Sequence, residues 1–293
     1  MKDIKTSEFR VTEEIDLKSM STDLDLEAPE YKIEDELDGI RKKLADWQDA
    51  LYAHGKYAVL LCFQGMDTSG KDSLIREVFK GFNSRGVVVH SFKVPSKLEL
   101  SHNYLWRHYI ALPQRGKFGI FNRSHYENVL VTRVHPEYIL NENLPDISEL
   151  NDVNEKFWEK RFDQIREFES TVADNGTIIF KFFLHMSKEE QRQRLLRRLE
   201  KPNKNWKFSP GDLKERELWE NYMFSYQEAI NNTSKEKAPW YVIPANHKPT
   251  ARYLVARILW ENLNDYKDVR EPELSPEIRK NLEEYRQILE KDK

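Results

Sequence analysis

The residues best suited to chemistry stand together in Gly65-Met66-Asp67-Thr68-Ser69-Gly70-Lys71-Asp72-Ser73. This is the G-x-x-x-x-G-K spacing of a phosphate-binding loop. Glycines let the backbone wrap an anion, with successive N–H groups turned inward as a nest. A helix after the loop turns its positive end to the same anion. Lys71 adds a mobile charge for the outer phosphates, and Thr68, Ser69, Gly70, Asp72 and Ser73 complete the cradle. The blander reading is a glycine-bearing turn, but the apolar run before the loop and the helical pattern after it favour phosphate. Asp72 stands where the standard form has a Ser or Thr that holds magnesium. A carboxylate beside phosphates is repulsive unless a cation lies between them, and hard oxygen ligands suit Mg²⁺. Asp67 is the first choice of metal ligand and Asp72 the second. For Asp72 the alternative is a helix-start acid favoured by the macrodipole.

A second group of residues follows the run Phe118-Gly119-Ile120-Phe121. In an open α/β sheet, ligands bind at the carboxyl ends of strands. Asn122 would orient a metal-bound water, and Arg123 offers a fork of donors to phosphate. Glu127 would meet a sugar, a base or the metal shell, whereas His125, at a helix start, reads as structural. Lys93, Arg107 and Arg133 are further candidates for the nucleotide, each with a surface charge as its alternative. Residues 188–207 carry eight positive side chains against three acids. Arg194, Arg197, Arg198 and Lys201 share one helix face, and Lys204 and Lys207 continue the series past Pro202. A solvated face is the usual meaning of a charge run. Here acids are few on that face, so pairing partners are lacking, and the segment reads as a lid over phosphates. Its length suggests a polyanion longer than one triphosphate. Nucleic acid is not expected, for want of an aromatic platform among the basic residues.

These residues need a scaffold. Five short apolar runs, Tyr57–Phe63, Val87–Phe92, Phe118–Phe121, Thr177–Leu184 and Trp240–Ile243, read as strands, and the longer of them, apolar on both faces, suggest buried parallel strands rather than exposed hairpins. Helical patterns lie at Tyr31–His54, Ser69–Phe82, Leu98–Ile110, Asn151–Ala173, Lys188–Glu200, Asp212–Ile230 and Thr250–Leu263. Such alternation means right-handed βαβ units: an α/β, three-layer fold with a five-stranded parallel sheet, helices on both faces and a helical lid. The expected organisation is an arm at 1–30, a kinase domain at 31–267 with its lid at 187–211, and a helical tail at 268–293. The arm reads as loosely packed or laid over the surface. The tail, with Leu282, Tyr285 and Leu289 on one side, would pack on the domain or on a second subunit. With 47 basic and 50 acidic residues the net charge is −3, which excludes a uniformly basic nucleic-acid binder. The single cysteine excludes an internal disulfide and a four-cysteine zinc site. No apolar leader or membrane-length span stands out, so a soluble cytoplasmic protein without a membrane partner is expected.

Four ordered segments resemble one family. GMDTSGKD, FKVPSKLELSHNYLWRH, FGIFNRSHYENVLVTRVHP and the series ending KPNKNWKFSPGDL are similar to the type 2 polyphosphate kinases, over about Tyr31 to Leu263. The resemblance implies a P-loop kinase fold with a helical lid. It implies Mg²⁺ dependence, with Mn²⁺ as a substitute, and phosphoryl transfer between inorganic polyphosphate and adenine or guanine nucleotides. Asp67, Lys71 and Arg123 fall on the family's catalytic positions. Arg194, Arg198, Lys201, Lys204 and Lys207 fall in its lid. Many members have Asp where this chain has Asn122. FNRSHYE looks like the subgroup that accepts both mono- and diphosphates, and the family implies a homo-oligomer. The chemistry needs positioning and charge neutralisation rather than a general base. Two rivals are an ATP-dependent nucleoside monophosphate kinase and a binding protein without turnover.

Overall fold

The computed structural model describes residues 1–292. Its five strands are β1 (Ala58–Gln64), β2 (Val87–Ser91), β3 (Phe118–Asn122), β4 (Thr177–His185) and β5 (Trp240–Pro244). They form one parallel sheet in the order β2-β3-β1-β4-β5. β1 lies at the centre and is buried along its whole length. Its register sets Cys62 beside Phe121 on one neighbour and Lys181 on the other. Alternate residues serve opposite faces: Leu60 and Cys62 join a small core with Phe121, Phe168 and Ile179, whereas Val59, Leu61 and Phe63 enter the larger core.

The helices are α1 (Glu30–His54), α2 (Lys71–Val78), α3 (Lys97–Leu100), α4 (Trp106–Tyr109), α5 (Val131–Val134), α6 (Glu155–Asp174), α7 (Lys188–Glu200), α8 (Pro210–Glu217), α9 (Trp219–Thr233), α10 (Lys248–Leu263) and α11 (Pro276–Lys291). α1 packs along α10 through Ile33, Leu37, Ile40 and Leu44, all buried. Gly55 ends α1 at φ +68°, a left-handed cap that favours glycine.

Two helical expectations break in the structure. Leu98–Ile110 is not one helix: α3 and α4 are separated by a turn. Short polar side chains compete there for the backbone. Ser101 Oγ donates to the Leu98 carbonyl at 2.7 Å, and Asn103 Oδ1 accepts from the Leu105 N–H at 2.8 Å. Asp212–Ile230 likewise divides at Leu218 into α8 and α9.

The first 30 residues lie over the surface and are pinned there. Ile4, Val11, Leu17 and Leu26 are buried. Arg10 bridges Tyr241 in antiparallel fashion, and the Val11 N–H donates to the Trp240 carbonyl at 2.9 Å, so the arm covers the β5 edge of the sheet. α11 buries no residue against the chain; Ile278, Leu282, Tyr285 and Leu289 stay exposed. Among the described residues, no helix is long and apolar enough to cross a membrane.

Candidate active site

The loop between β1 and α2 is shaped by close contacts. Gly65 has φ +152°, and a Cβ there would stand 2.9 Å from Ser69 Oγ and 3.0 Å from the Leu184 carbonyl, so only glycine fits. Thr68 has φ +68° and Arg123, at the exit of β3, φ +63°. Such left-handed, non-glycine backbone costs ~1–3 kcal/mol and gathers at functional sites. Lys71 is buried and donates to the Gly65 carbonyl at 2.6 Å. Burial, with Arg123 nearby, lowers its pKa to about 8 against the opposing pull of Asp67, Glu127 and Asp72. Ser73 Oγ donates to the Gly70 carbonyl at 2.9 Å and so turns inward.

The β3 exit meets this loop. Arg123 donates to Asp67 at 2.7 Å and pairs with Glu127 at 3.5 Å. Burial opposes the Arg123 charge, but the two carboxylates outweigh it and hold its pKa above the ordinary value. Burial raises the Glu127 carboxyl, with Arg123 and Lys71 opposing. Asn122 Nδ2 donates to Asp72 Oδ1 at 2.6 Å, so the amide orients a carboxylate of the loop directly. His125 lies 3.1 Å from Glu169, which also accepts from Lys181 at 2.6 Å and Tyr126 at 2.8 Å. The whole cluster is buried behind the β3 exit, and the structural reading of His125 holds.

Two cavities meet here. A basic cleft of about 860 Å³ is lined by Asp67, Thr68, Gly70, Lys71, Asp72, Ser73, Asn122 and Arg123, and by Arg194, Arg197, Arg198, Lys204 and Lys207. A smaller pocket of about 310 Å³ has Val94, Pro95, Leu100, Val131 and Tyr138 as apolar walls, and Arg107, Glu127 and Glu142 among its polar ones. Lys93 and Arg123 line both cavities. Arg107 is positioned by the Lys93 carbonyl at 2.8 Å and lies over the Phe92 ring.

Several expectations need correction. Arg133 does not face either cavity: it pairs with Glu155 at 2.7 Å and stacks among Trp158, Phe162 and Phe224. Arg194 is a clamp. It donates to Glu190, to the Thr68 and Ser69 carbonyls and to those of Ala245 and Asn246, all within 3.0 Å, which takes up its full fork of donors. Nor do the basic residues lack partners, since Arg197 pairs with Glu190 at 2.8 Å and Arg198 with Asp212 at 3.0 Å. Ser69 is buried beneath the loop, and Lys201 is exposed at the end of α7 without lining the cleft. One aromatic, Trp206, does stand among the basic residues; it is exposed, with Lys207 over its ring.

The sequence reading missed Lys248, Arg252 and Arg76, which also line the cleft. Burial, then Arg194, Arg197 and other cations, lowers Lys248 to about 8. The signal was available: Lys248 opens a helix just beyond the carboxyl end of β5, where such sheets place ligands.

A glycine-shaped loop at the carboxyl end of a parallel sheet, faced by a basic helix and turn, has the architecture of a P-loop kinase-like phosphotransferase. The family model for polyphosphate kinase 2 matches residues 27–271, and the chain belongs to that family. An ADP-polyphosphate phosphotransferase of Rhodopseudomonas palustris is 44% identical over 292 residues, 98% of this chain and 99% of that one. An AMP/ADP-polyphosphate phosphotransferase of Meiothermus ruber is 50% identical over 224 residues, 76% and 78% of the two chains. The crystal structure of polyphosphate kinase 2 from Arthrobacter aurescens TC1 superposes with a TM-score of 0.85 at 33% identity, covering 96% of this chain and 99% of that one.

Proposed function

We propose that this protein moves a phosphoryl group reversibly between inorganic polyphosphate and nucleoside mono- and diphosphates, AMP to ADP and ADP to ATP. The observation that carries the reading is the junction of two unlike cavities at Arg123 and Lys93. The cleft of about 860 Å³ suits a polyanion, and the apolar-walled pocket of about 310 Å³ suits a nucleoside. Lys71 and Arg123 bind the transferring group and offset the charge that develops on it. Arg107 and Lys93 hold the acceptor phosphate. Lys204 and Lys207, with Lys248 and Arg252, hold the polymer, and residues 187–211 close over it as a lid. A single exposed Trp206 makes no stacking series, which favours polyphosphate over nucleic acid as the polymer.

A divalent cation fits the loop. The Asp67 and Asp72 carboxylates both line the cleft, each oriented by one donor. Among the described residues, no three His, Cys, Asp or Glu side chains converge. Asp67 and Asp72 would therefore share Mg²⁺, or Mn²⁺, with phosphate oxygens and water. Bound there, it would neutralise phosphate charge. Self-association through the exposed α11 stripe belongs to the same reading, since its alternating spacing of four and three is that of a helix-pair seam. A cytoplasmic setting accords with the lone, buried Cys62.

The test is product analysis with polyphosphate as sole phosphoryl donor, Mg²⁺, and AMP, ADP or GMP as acceptor. Formation of the next higher phosphate from each is expected. Products that appear only when ATP is the donor would overturn the reading in favour of a nucleotide kinase.

A further inference from the structure

Arg123 holds its guanidinium between Asp67 and Glu127 from a backbone that few side chains adopt, at φ +63°. Such a conformation persists only where its surroundings over-determine it. Up to Arg123 the chain is fixed by the sheet. Asn122 is in register with Phe63 and Ser91 on the two neighbours of β3, and the Arg123 N–H donates to the Phe63 carbonyl at 3.1 Å. Beyond Arg123 the strand ends, and side chains take over. Ser124 Oγ accepts from Gln64 Nε2 at 3.2 Å. The next two residues reach one carboxylate oxygen, Glu169 Oε1, from His125 Nε2 at 3.1 Å and from the Tyr126 hydroxyl at 2.8 Å. Lys181 holds the other oxygen at 2.6 Å and also donates to the Tyr126 hydroxyl at 2.9 Å and to the Thr233 carbonyl at 2.8 Å. Ser124, His125, Tyr126, Glu169 and Lys181 are all buried.

We infer that Glu169 is a positioning residue for phosphoryl transfer: through His125 and Tyr126 it locks the 3-10 turn His125–Asn128, and so holds Arg123 in the left-handed conformation that aims its guanidinium at the transferring phosphate. This rests on the proposed role of Arg123. Glu169 lines neither cavity, so it acts only through the segment it grips. Asp67 and Glu127 pull on the guanidinium at the far end of a flexible side chain and do not decide φ. Burial opposes the Glu169 charge, but Lys181 and His125 outweigh it and hold its carboxyl below the ordinary pKa. An ionised carboxylate only accepts, so His125 donates from Nε2, which fixes its tautomer. A buried ion pair adds little net stability, because desolvation offsets its attraction. Fixed geometry is what it can add, and here that geometry begins two residues after the strained one.

The test is a double-mutant cycle. His125→Phe with Tyr126→Phe removes both links to Glu169, keeps the rings and leaves Glu169 paired with Lys181. In the otherwise unaltered protein this pair of changes should lower kcat roughly 10- to 100-fold, the cost of a misplaced catalytic group. In an Arg123→Ala background the same pair should lower kcat by less than about twofold, because the group it positions is already gone. The thermal midpoint should fall by the same amount in both backgrounds, so stability and turnover part company. A purely structural role gives an equal kcat factor in both backgrounds, or an unchanged kcat in folded protein, and either result overturns the inference. If the pair unfolds below the assay temperature, Tyr126→Phe alone carries the same cycle, since it removes one hydroxyl. Arg123→Ala by itself separates the two layers of inference. If it turns over at a near-normal rate, the role of Arg123 fails and the positioning falls with it. If it is slow and the kcat factors are equal, positioning fails alone.

Discussion

At the scale of single residues, the proposed phosphoryl transfer depends on charges held where phosphate must pass. Lys71→Ala and Arg123→Ala should each lower turnover by roughly 10²–10³, since each removes one preorganised charge aimed at the transferring group. Steady-state kinetics on folded variants checks this, and near-normal turnover in either would remove that residue from the site. The alkaline side of the pH profile belongs here too. Lys71 and Lys248 both have pKa values lowered to about 8, first by burial. The free enzyme must keep both protonated to bind phosphate, so kcat/KM for polyphosphate should fall as pH rises above 8. Lys248→Arg, which stays charged, should make that fall less steep. Stability should move the other way. An unfolded lysine holds its proton to about pH 10.4, so between about 8 and 10 the unfolded chain binds more protons and these lysines contribute a rise in stability with pH. Chemical denaturation at several pH values should show the rise, and Lys248→Met should flatten it. The core of this site was legible in advance. Asp67, Lys71, Asp72, Asn122 and Arg123 lie together because a glycine loop and a strand exit have fixed places in an α/β sheet. Arg133 was not legible, because the sequence pattern does not tell which side of a one-turn helix faces the crevice.

At the scale of elements, α7 does two jobs that its charge pattern does not separate. Its first half grips the loop: Arg194 joins it to the β5 exit, and Gln191 donates to the Asp67 carbonyl at 3.1 Å. Removing Arg194 leaves several buried carbonyls unpaired. Arg194→Ala should therefore lower both the thermal midpoint and turnover. Beyond α7, Lys204 and Lys207 are exposed and line the cleft. Replacing both with Ala should leave the midpoint unchanged and raise KM for polyphosphate more than KM for ADP. Their action is electrostatic, so the polyphosphate affinity of the unaltered protein should fall more steeply with salt than that of the double variant. KM measured at two ionic strengths decides it, and equal slopes would make the segment a solvated face. The sequence could not distinguish Arg194 from Lys204, because both are basic residues and the carbonyls that capture Arg194 come from loops some 50 and 125 residues away.

At the scale of the whole molecule, the sheet was legible because its strands are short apolar runs between helical patterns, although β2, at the sheet edge, leaves Val88 and Val89 exposed. The helices that failed as single units, at 98–110 and 212–230, are those where local side chains or a change of packing partner interrupt a continuous apolar pattern. The buried Glu169–Lys181 pair, 2.6 Å apart, ties β4 to α6 behind the β3 exit. Lys181→Met alone should destabilise by about 3–5 kcal/mol because it strands a buried carboxylate, while a second change, Glu169→Leu, should recover much of the loss. Equilibrium unfolding of the two variants measures this. Under the proposed function, donor and acceptor would occupy separate cavities that share Arg123 and Lys93, so that transfer would be direct with both substrates bound together. The measurement that tests this most directly is the initial-rate pattern with polyphosphate and ADP varied against each other. Intersecting double-reciprocal lines, the mark of a ternary complex, are predicted; parallel lines, the mark of a phosphorylated enzyme formed before the nucleotide binds, would contradict the account.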